Sequence, residues 1–314
     1  MPFNTFFKIG APAKSKNSLM DRWTDFSVES KKIKYSFQRT YRSRSIHQGI
    51  FGFGWCTDFE KSIERHGSFE LLLKDCQEDR ALLFKKVGKN YVSNLDSKDK
   101  IIFQNGHFQR QKGLIKQIFD TEGRLIELKY FQWPVEIFYG LDHKIRQIKI
   151  NHDQMIDLKF TPRDGDSLTV TAPGKAAFVY QLKDKNLISV LSKDGTKTVY
   201  HYNSFHNLTK IERGTKTIER MSYDNKKDWL IETSSDSECQ QTYSYNMDPK
   251  KPLLFKTTVQ KFCQGELKSE IQWTYELKDN WGAGYRIVRS FSHTQNFPSR
   301  IAQKNGVSIN DTEE

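Results

Sequence analysis

The chain has little of what a helical or membrane-spanning protein needs. No apolar run approaches transmembrane length, and few segments place apolar residues at three- and four-residue spacing, so no amphipathic helix stands out. Hydrophobic content is 36% and mean hydropathy is −0.72, low for a thick core. Only 8 Pro and 18 Gly in 314 residues argue against disorder. Cysteine is scarce. Cys56, Cys76, Cys239 and Cys263 show no CxxC or metal-type spacing, and four thiols in a chain this long do not define a disulfide scaffold. They allow one or two disulfides and leave the redox compartment open. The segment Met1 to Ala13 lacks the basic start and full apolar stretch of a signal peptide.

Aromatics are abundant at 13%, and Tyr, Phe, Val, Ile and Thr suit a half-buried pleated surface. The formal charge is +12, but Lys is spread along nearly the whole sequence and runs are as short as Lys31-Lys32 with Lys34. A nucleic-acid binder more often concentrates its charge in a patch or a recognisable module. Lysine on the outer face of amphipathic strands explains the distribution and blunts sheet edges. No specific nucleic-acid partner is expected. A weaker attraction to anionic surfaces stays open.

The strongest pattern is a beat of aromatics, Phe119, Tyr139, Phe160, Tyr180, Tyr202, Tyr223 and Tyr245, recurring about every twenty residues, as repeat architectures do. After most of them aliphatics follow at fixed offsets. Phe119 leads to Leu125 and Leu128, Tyr139 to Ile145 and Ile148, and Tyr202 to Leu208 and Ile211; Tyr180 leads to Leu187 and Val190, one residue late. Polar turns lie between, such as Asp120-Thr121-Glu122-Gly123-Arg124 and Asn203-Ser204-Phe205-His206-Asn207. An extended arm, a tight polar turn and a second arm make a β-hairpin. The sequence predicts an all-β protein of serial hairpins in a long curved or spiralling antiparallel sheet.

Along the chain, residues 1–30 read as a loose lead-in with a first strand near Asp25–Val28. Residues 31–110 form a cap-like β region, with strands at Phe69–Lys74, Ala81–Val87 and Lys100–Phe103 and an Asn105-Gly106 hairpin signal. Residues 111–247 carry the repeats. Longer strands follow in 248–300, after the breaks at Asp248-Pro249 and Lys251-Pro252, and the polar tail 301–314 is expected to fray.

The densest motif is Tyr35-Ser36-Phe37-Gln38-Arg39-Thr40-Tyr41-Arg42-Ser43, followed by Gly49-Ile50-Phe51-Gly52-Phe53-Gly54-Trp55. Alternation of Tyr35, Phe37, Arg39 and Tyr41 predicts a strand. The glycines permit a sharp turn or a close backbone approach, and Trp55 plugs the surface. This stretch resembles the R-x-Y-x-S and G-x-x-G-x-G-W signatures of Rhs and YD-repeat proteins, with Arg39, Tyr41, Ser43, Gly49, Gly52, Gly54 and Trp55 in the matching places. The hairpins are similar to YD repeats, in degenerate copies: Phe119-Asp120 with Gly123-Arg124-Leu125, Tyr202-Asn203 with Leu208, and Tyr223-Asp224 with Lys227-Asp228-Trp229.

The resemblance implies a β-sheet that spirals into a hollow shell, as in bacterial polymorphic toxins, insecticidal toxin complexes and surface proteins that include teneurins. It implies a non-enzymatic shell or scaffold, extracellular or in the cell envelope, with other shell chains or a cargo protein as partners. The DPxGL-type self-cleavage motif of the toxin versions is missing, since Asp248-Pro249 continues as Lys250-Lys251-Pro252. With so few beats, an incomplete, open shell is expected.

No catalytic constellation emerges, and no catalytic residue, metal ligand or cofactor is assigned. His201, His206 and His143 sit at hairpin turns, and a polar turn residue explains each. Gly49-x-x-Gly52-x-Gly54 lacks the following helix that a phosphate loop needs; Trp55-Cys56-Thr57-Asp58-Phe59 reads as continued strand. The pairs Asp164/Asp166 and Glu232/Asp236 could be glycosidase carboxylates only if they met across a cleft. Two other functions remain: a surface binding module that stacks glycan or protein on exposed rings, and a carbohydrate-active enzyme. The same rings at repeat spacing are also what a stacked core ladder would use.

Overall fold

The computed structural model describes residues 20–30, 33–43, 45, 47–75, 81–130, 133–162, 166–226, 229–236, 239–247, 254–279 and 285–296. The expectations for residues 1–19, Cys76, Asp164-Gly165, Lys227-Asp228, the breaks at 248–252 and the tail 301–314 lie outside these. Among the described residues the chain is all β, as the aromatic beat predicts, with no helix. It divides into two compact units, Met1–Thr215 with Asp279–Tyr285, and Lys216–Lys278 with Arg286–Glu314.

The first unit opens with a small sheet. Strand β1 (Met20–Ser30) pairs antiparallel with β2 (Ile33–Arg42), which pairs with β5 (Trp55–Cys56). The first strand thus begins earlier than Asp25, inside the segment read as lead-in. A two-residue pair, β3 (Gln48–Gly49) and β4 (Gly52–Phe53), joins β2 to β5. The alternation in β2 has the expected result: Phe37, Arg39 and Tyr41 are buried on one face.

A meander of consecutive antiparallel pairs follows. It begins with β6 (Ser62–His66), β7 (Glu70–Lys74), β8 (Leu82–Val87), β9 (Asn90–Ser93) and β10 (Lys100–Gln104). It continues through β11 (His107–Lys112), β12 (Ile115–Phe119), β13 (Leu125–Tyr130), β14 (Trp133–Tyr139) and β15 (Ile145–Ile150). The last members are β16 (Gln154–Pro162), β17 (Asp166–Thr171), β18 (Phe178–Lys183), β19 (Asn186–Leu191), β20 (Lys197–Tyr202) and β21 (Leu208–Arg213).

The second unit repeats the scheme in β22 (Lys216–Tyr223), β23 (Leu230–Ser234), β24 (Cys239–Met247), β25 (Leu254–Cys263) and β26 (Glu266–Asp279). Strand β27 (Tyr285–Asn296) ends the described chain. Its core is a run of rings, Trp229 against Tyr245 at 4.8 Å and Phe255 against Tyr275 at 6.2 Å. Cys239 and Cys263 face each other across β24 and β25 and are disulfide-bonded.

Candidate functional site: the repeat ladder and its cap

Four of the seven repeats are built on one local device. Phe119 and Leu125, Tyr139 and Ile145, Tyr202 and Leu208, and Tyr223 and Leu230 are cross-strand partners, with a register shift just before the aromatic. In the first turn Asp120 donates its N–H to the Arg124 carbonyl and accepts the Gly123 N–H through its own. Its Oδ1 also takes the N–H groups of Glu122 and Arg124. This is a three-residue hairpin loop whose last residue must adopt positive φ. Gly123 does so at +84°, and His143 and His206 fill the same position at +59° and +63°. The turn reading of these histidines explains why glycine can be absent there.

Two details of the repeats differ from the sequence reading. Leu230, not Trp229, opposes Tyr223, because the Asp224 turn is one residue longer and closes with the Asp224 N–H on the Trp229 carbonyl. Tyr180 opposes Val190, and Leu187 pairs instead with Leu182, because the tighter Asp184-Lys185 turn moves the register shift past the aromatic.

The tyrosine hydroxyls link successive repeats. Tyr139 donates to the Leu125 carbonyl at 2.8 Å, Tyr202 to Leu187 at 2.8 Å, and Tyr245 to Leu230 at 2.7 Å. Each acceptor is the first aliphatic after the previous turn. The ring therefore fills the core while its hydroxyl satisfies a backbone carbonyl that the irregular register leaves over. Phe119 and Tyr180 are fully buried, and Tyr139, Tyr202, Tyr223 and Tyr245 are half-buried. The core-ladder reading of these six rings thus accounts for their burial, and none of the six is exposed.

The cap is held across the ladder by a buried arginine. Arg39 Nε lies 2.8 Å from Asp25 Oδ2, and its Nη1 donates to the Tyr200 hydroxyl at 3.1 Å. The Tyr180 hydroxyl donates to the same Asp25 carboxylate at 2.7 Å. The guanidinium also lies over the rings of Trp23, Trp55, Tyr180 and Tyr200, at 5.1–5.7 Å from their centroids. Burial works against its charge, but Asp25, with the Tyr200 and Tyr180 hydroxyls, raises its pKa above the ordinary arginine value. A charge this deep is tolerated because it is paired with Asp25, hydrogen-bonded to Tyr200 and set among four aromatic rings.

Neighbouring groups extend the junction. Trp55, completely buried, donates its indole N–H to the Tyr202 hydroxyl at 2.9 Å. Tyr41 accepts the Leu208 N–H at 2.8 Å. Ser30 donates to Asp153 and accepts from Asn151, tying the far end of β1 to the β15–β16 turn. Of the residues singled out in the sequence, Arg39, Tyr41, Trp55, Tyr202 and Leu208 meet here. Ser43 is buried near by, while Phe119, Asp120 and Gly123 stand in an earlier repeat and Tyr223 and Asp224 in the second unit.

The three-glycine loop is a close-approach device, and it is built on a residue the sequence reading passed over. Phe53 donates its N–H to the Lys185 carbonyl at 2.8 Å, and a Cβ on Gly52 would lie 2.3 Å from that oxygen. Glu60 folds under the loop and accepts the N–H groups of Ile50 and Thr57 at 2.6 and 2.8 Å. Its only signal in the sequence is a carboxylate a few residues after the last glycine. The expected strand after Trp55 stops at Cys56, because Glu60 holds Thr57 to Glu60 in a turn. No helix begins there, so the backbone offers no phosphate cradle.

His201, His206 and Asp236 bond to neighbouring side chains and backbone. His201 bonds Glu212 at 2.6 Å and His206 bonds Asn186 at 3.0 Å. Asp236 accepts from Thr217 and Arg220 at the surface. Among the described residues no cluster has the composition of a metal site. An open groove of about 320 Å³ beside Ile63, Arg65, Phe108 and Gly123 has Glu64 and Glu122 as its carboxylates, paired with Lys74 and Arg124.

A family described as a domain of unknown function, DUF6531, matches residues 18–84, the cap and the first strands of the meander. No curated protein matches the chain. Among solved structures, TcdB2-TccC3 without its hypervariable C-terminal region is 9% identical over 84% of this chain, with a TM-score of 0.32. TcdB2-TccC3-TEV is 8% identical over 88%, also with a TM-score of 0.32. The chain spans 18% of each of those chains, and scores this low carry no assignment.

Proposed function

We propose that this chain is a non-enzymatic scaffold, a shell component of an Rhs/YD-type bacterial toxin or cell-surface system that works outside the cytoplasm with other shell chains or a cargo protein. The observation that carries this reading is the cap–ladder junction. The residues of both family signatures spend their chemistry on one another: Arg39 on Asp25 and Tyr200, Trp55 on Tyr202, Tyr41 on Leu208. Such groups make a rigid wall, and none is left presented to a substrate.

A tagged chain expressed at native level in its own host tests this. A scaffold elutes in an assembly much heavier than its own 36.9 kDa, with defined protein partners, and Arg39→Met disperses that assembly. A chain that elutes alone under all native conditions contradicts the proposal.

A further inference from the structure

One face of the early meander in the first unit carries two parallel rows of unlike chemistry. Glu70, Lys85, Val92, Lys100, Gln111, Lys116 and Lys129 are successive cross-strand partners from β7 to β13. Directly opposed residues share a face of the sheet. Val92 is half-buried and Lys100 exposed, whereas the next residue on β10, Ile101, is fully buried, so this row faces outward. Glu70 pairs with Lys85 and Glu127 with Lys129. Lys100 and Lys116 have no carboxylate partner among the described residues, and Lys116 stands directly opposite Lys129. Like charges placed so are unfavourable in an isolated sheet.

Two residues further along every second strand lies an aliphatic. Val87 follows Lys85, Ile102 follows Lys100 and Ile118 follows Lys116, and these form their own row through Asn90 and Gln109. Val87 is 61% exposed and Ile102 42%. This row is the nearer of the two to the hairpin tips at Gly88 and at Asn105-Gly106. The lysines stand about 7 Å behind the aliphatics, the rise of two strand residues.

We infer that this face is a docking surface for an anionic lipid bilayer, with Val87 and Ile102 entering the interface and Lys100 and Lys116 set against lipid phosphates. An apolar edge with a cationic row one step behind it matches the depth profile of a membrane interface. A nucleic-acid groove would interleave its cations with stacking rings instead, and here aliphatics occupy those places. The inference concerns a single chain and stands apart from the scaffold proposal.

The test is flotation of the full chain with vesicles of mixed phosphatidylcholine and phosphatidylglycerol, against pure phosphatidylcholine, with single-stranded DNA binding in parallel. The wild type is expected to float with the anionic vesicles and not the neutral ones. Lys100→Glu/Lys116→Glu should weaken that binding about tenfold or more. Val87→Ser/Ile102→Ser, with charge unchanged and an unchanged melting temperature as a folding control, should weaken it as well. No flotation, or flotation indifferent to the aliphatic pair while DNA binds equally well, overturns the inference in favour of unspecific attraction to polyanions.

Discussion

The hydroxyl of Tyr41 accepts the backbone N–H of Leu208 at 2.8 Å across 167 residues of sequence. One phenol thus joins the cap strand to the start of a repeat strand. Tyr41→Phe keeps the ring and strands a buried N–H, so it should destabilise the fold by about 1–3 kcal/mol. Urea denaturation reads the loss, and the Leu208 amide should exchange faster.

Trp55 fills the junction and satisfies Tyr202, so Trp55→Ala combines a cavity with a lost hydrogen bond. The expected cost is about 3–5 kcal/mol. A thermal shift near zero would remove Trp55 from the cap assignment.

Arg39 and Asp25 should behave as a unit. Arg39→Met leaves the Asp25 carboxylate buried with only the Tyr180 hydroxyl beside it, at about 3–5 kcal/mol. Adding Asp25→Asn removes the uncompensated charge and should recover part of that loss. A double-mutant cycle in which the two changes simply add would contradict the coupling.

Alkaline pH should loosen the ladder. Burial, then the Asp25 charge, holds the Tyr180 phenol well above its usual pKa, and burial with Tyr41 does the same for Tyr202. Burial and Tyr130 push Tyr35 up to about 12. The native state favours the protonated phenols, so their contribution is complete below about pH 10, the unfolded value. It is lost as pH rises through the raised folded values, about 12 for Tyr35. Phenolate absorbance should show a set of tyrosines that ionise only as the chain unfolds. All of them ionising near pH 10 with the fold intact would contradict this.

In the second unit the Cys239–Cys263 bond closes a loop of sequence separation 24. Its removal by Cys239→Ala/Cys263→Ala should lower that unit's stability by about 2–4 kcal/mol, read as an earlier denaturant midpoint.

The hairpins were legible in the sequence because their information is local. A turn such as Asp120 to Arg124 carries its own cap, its positive-φ residue and its flanking apolar partners within a few positions. The β2 alternation was equally plain. The junction was legible only as a set of residue types. Nothing local to Arg39 tells that it meets Tyr200, 161 residues away, and the Tyr139 hydroxyl gives no sign of its carbonyl partner until the register shift is known. Glu60 went unseen because one carboxylate after a glycine loop has many meanings, and only the fold folds it back under that loop. The misplaced Trp229 and Leu187 have one cause: a single residue gained or lost in a turn moves every partner after it.

The central claim is that cap and repeats form one braced wall. Hydrogen exchange on the whole chain, wild type against Arg39→Met, tests it most directly. The account predicts that residues 33–42 and 178–211 are protected together in the wild type and lose protection together in the variant. Loss confined to the cap strands, with the repeat strands exchanging as before, would contradict it.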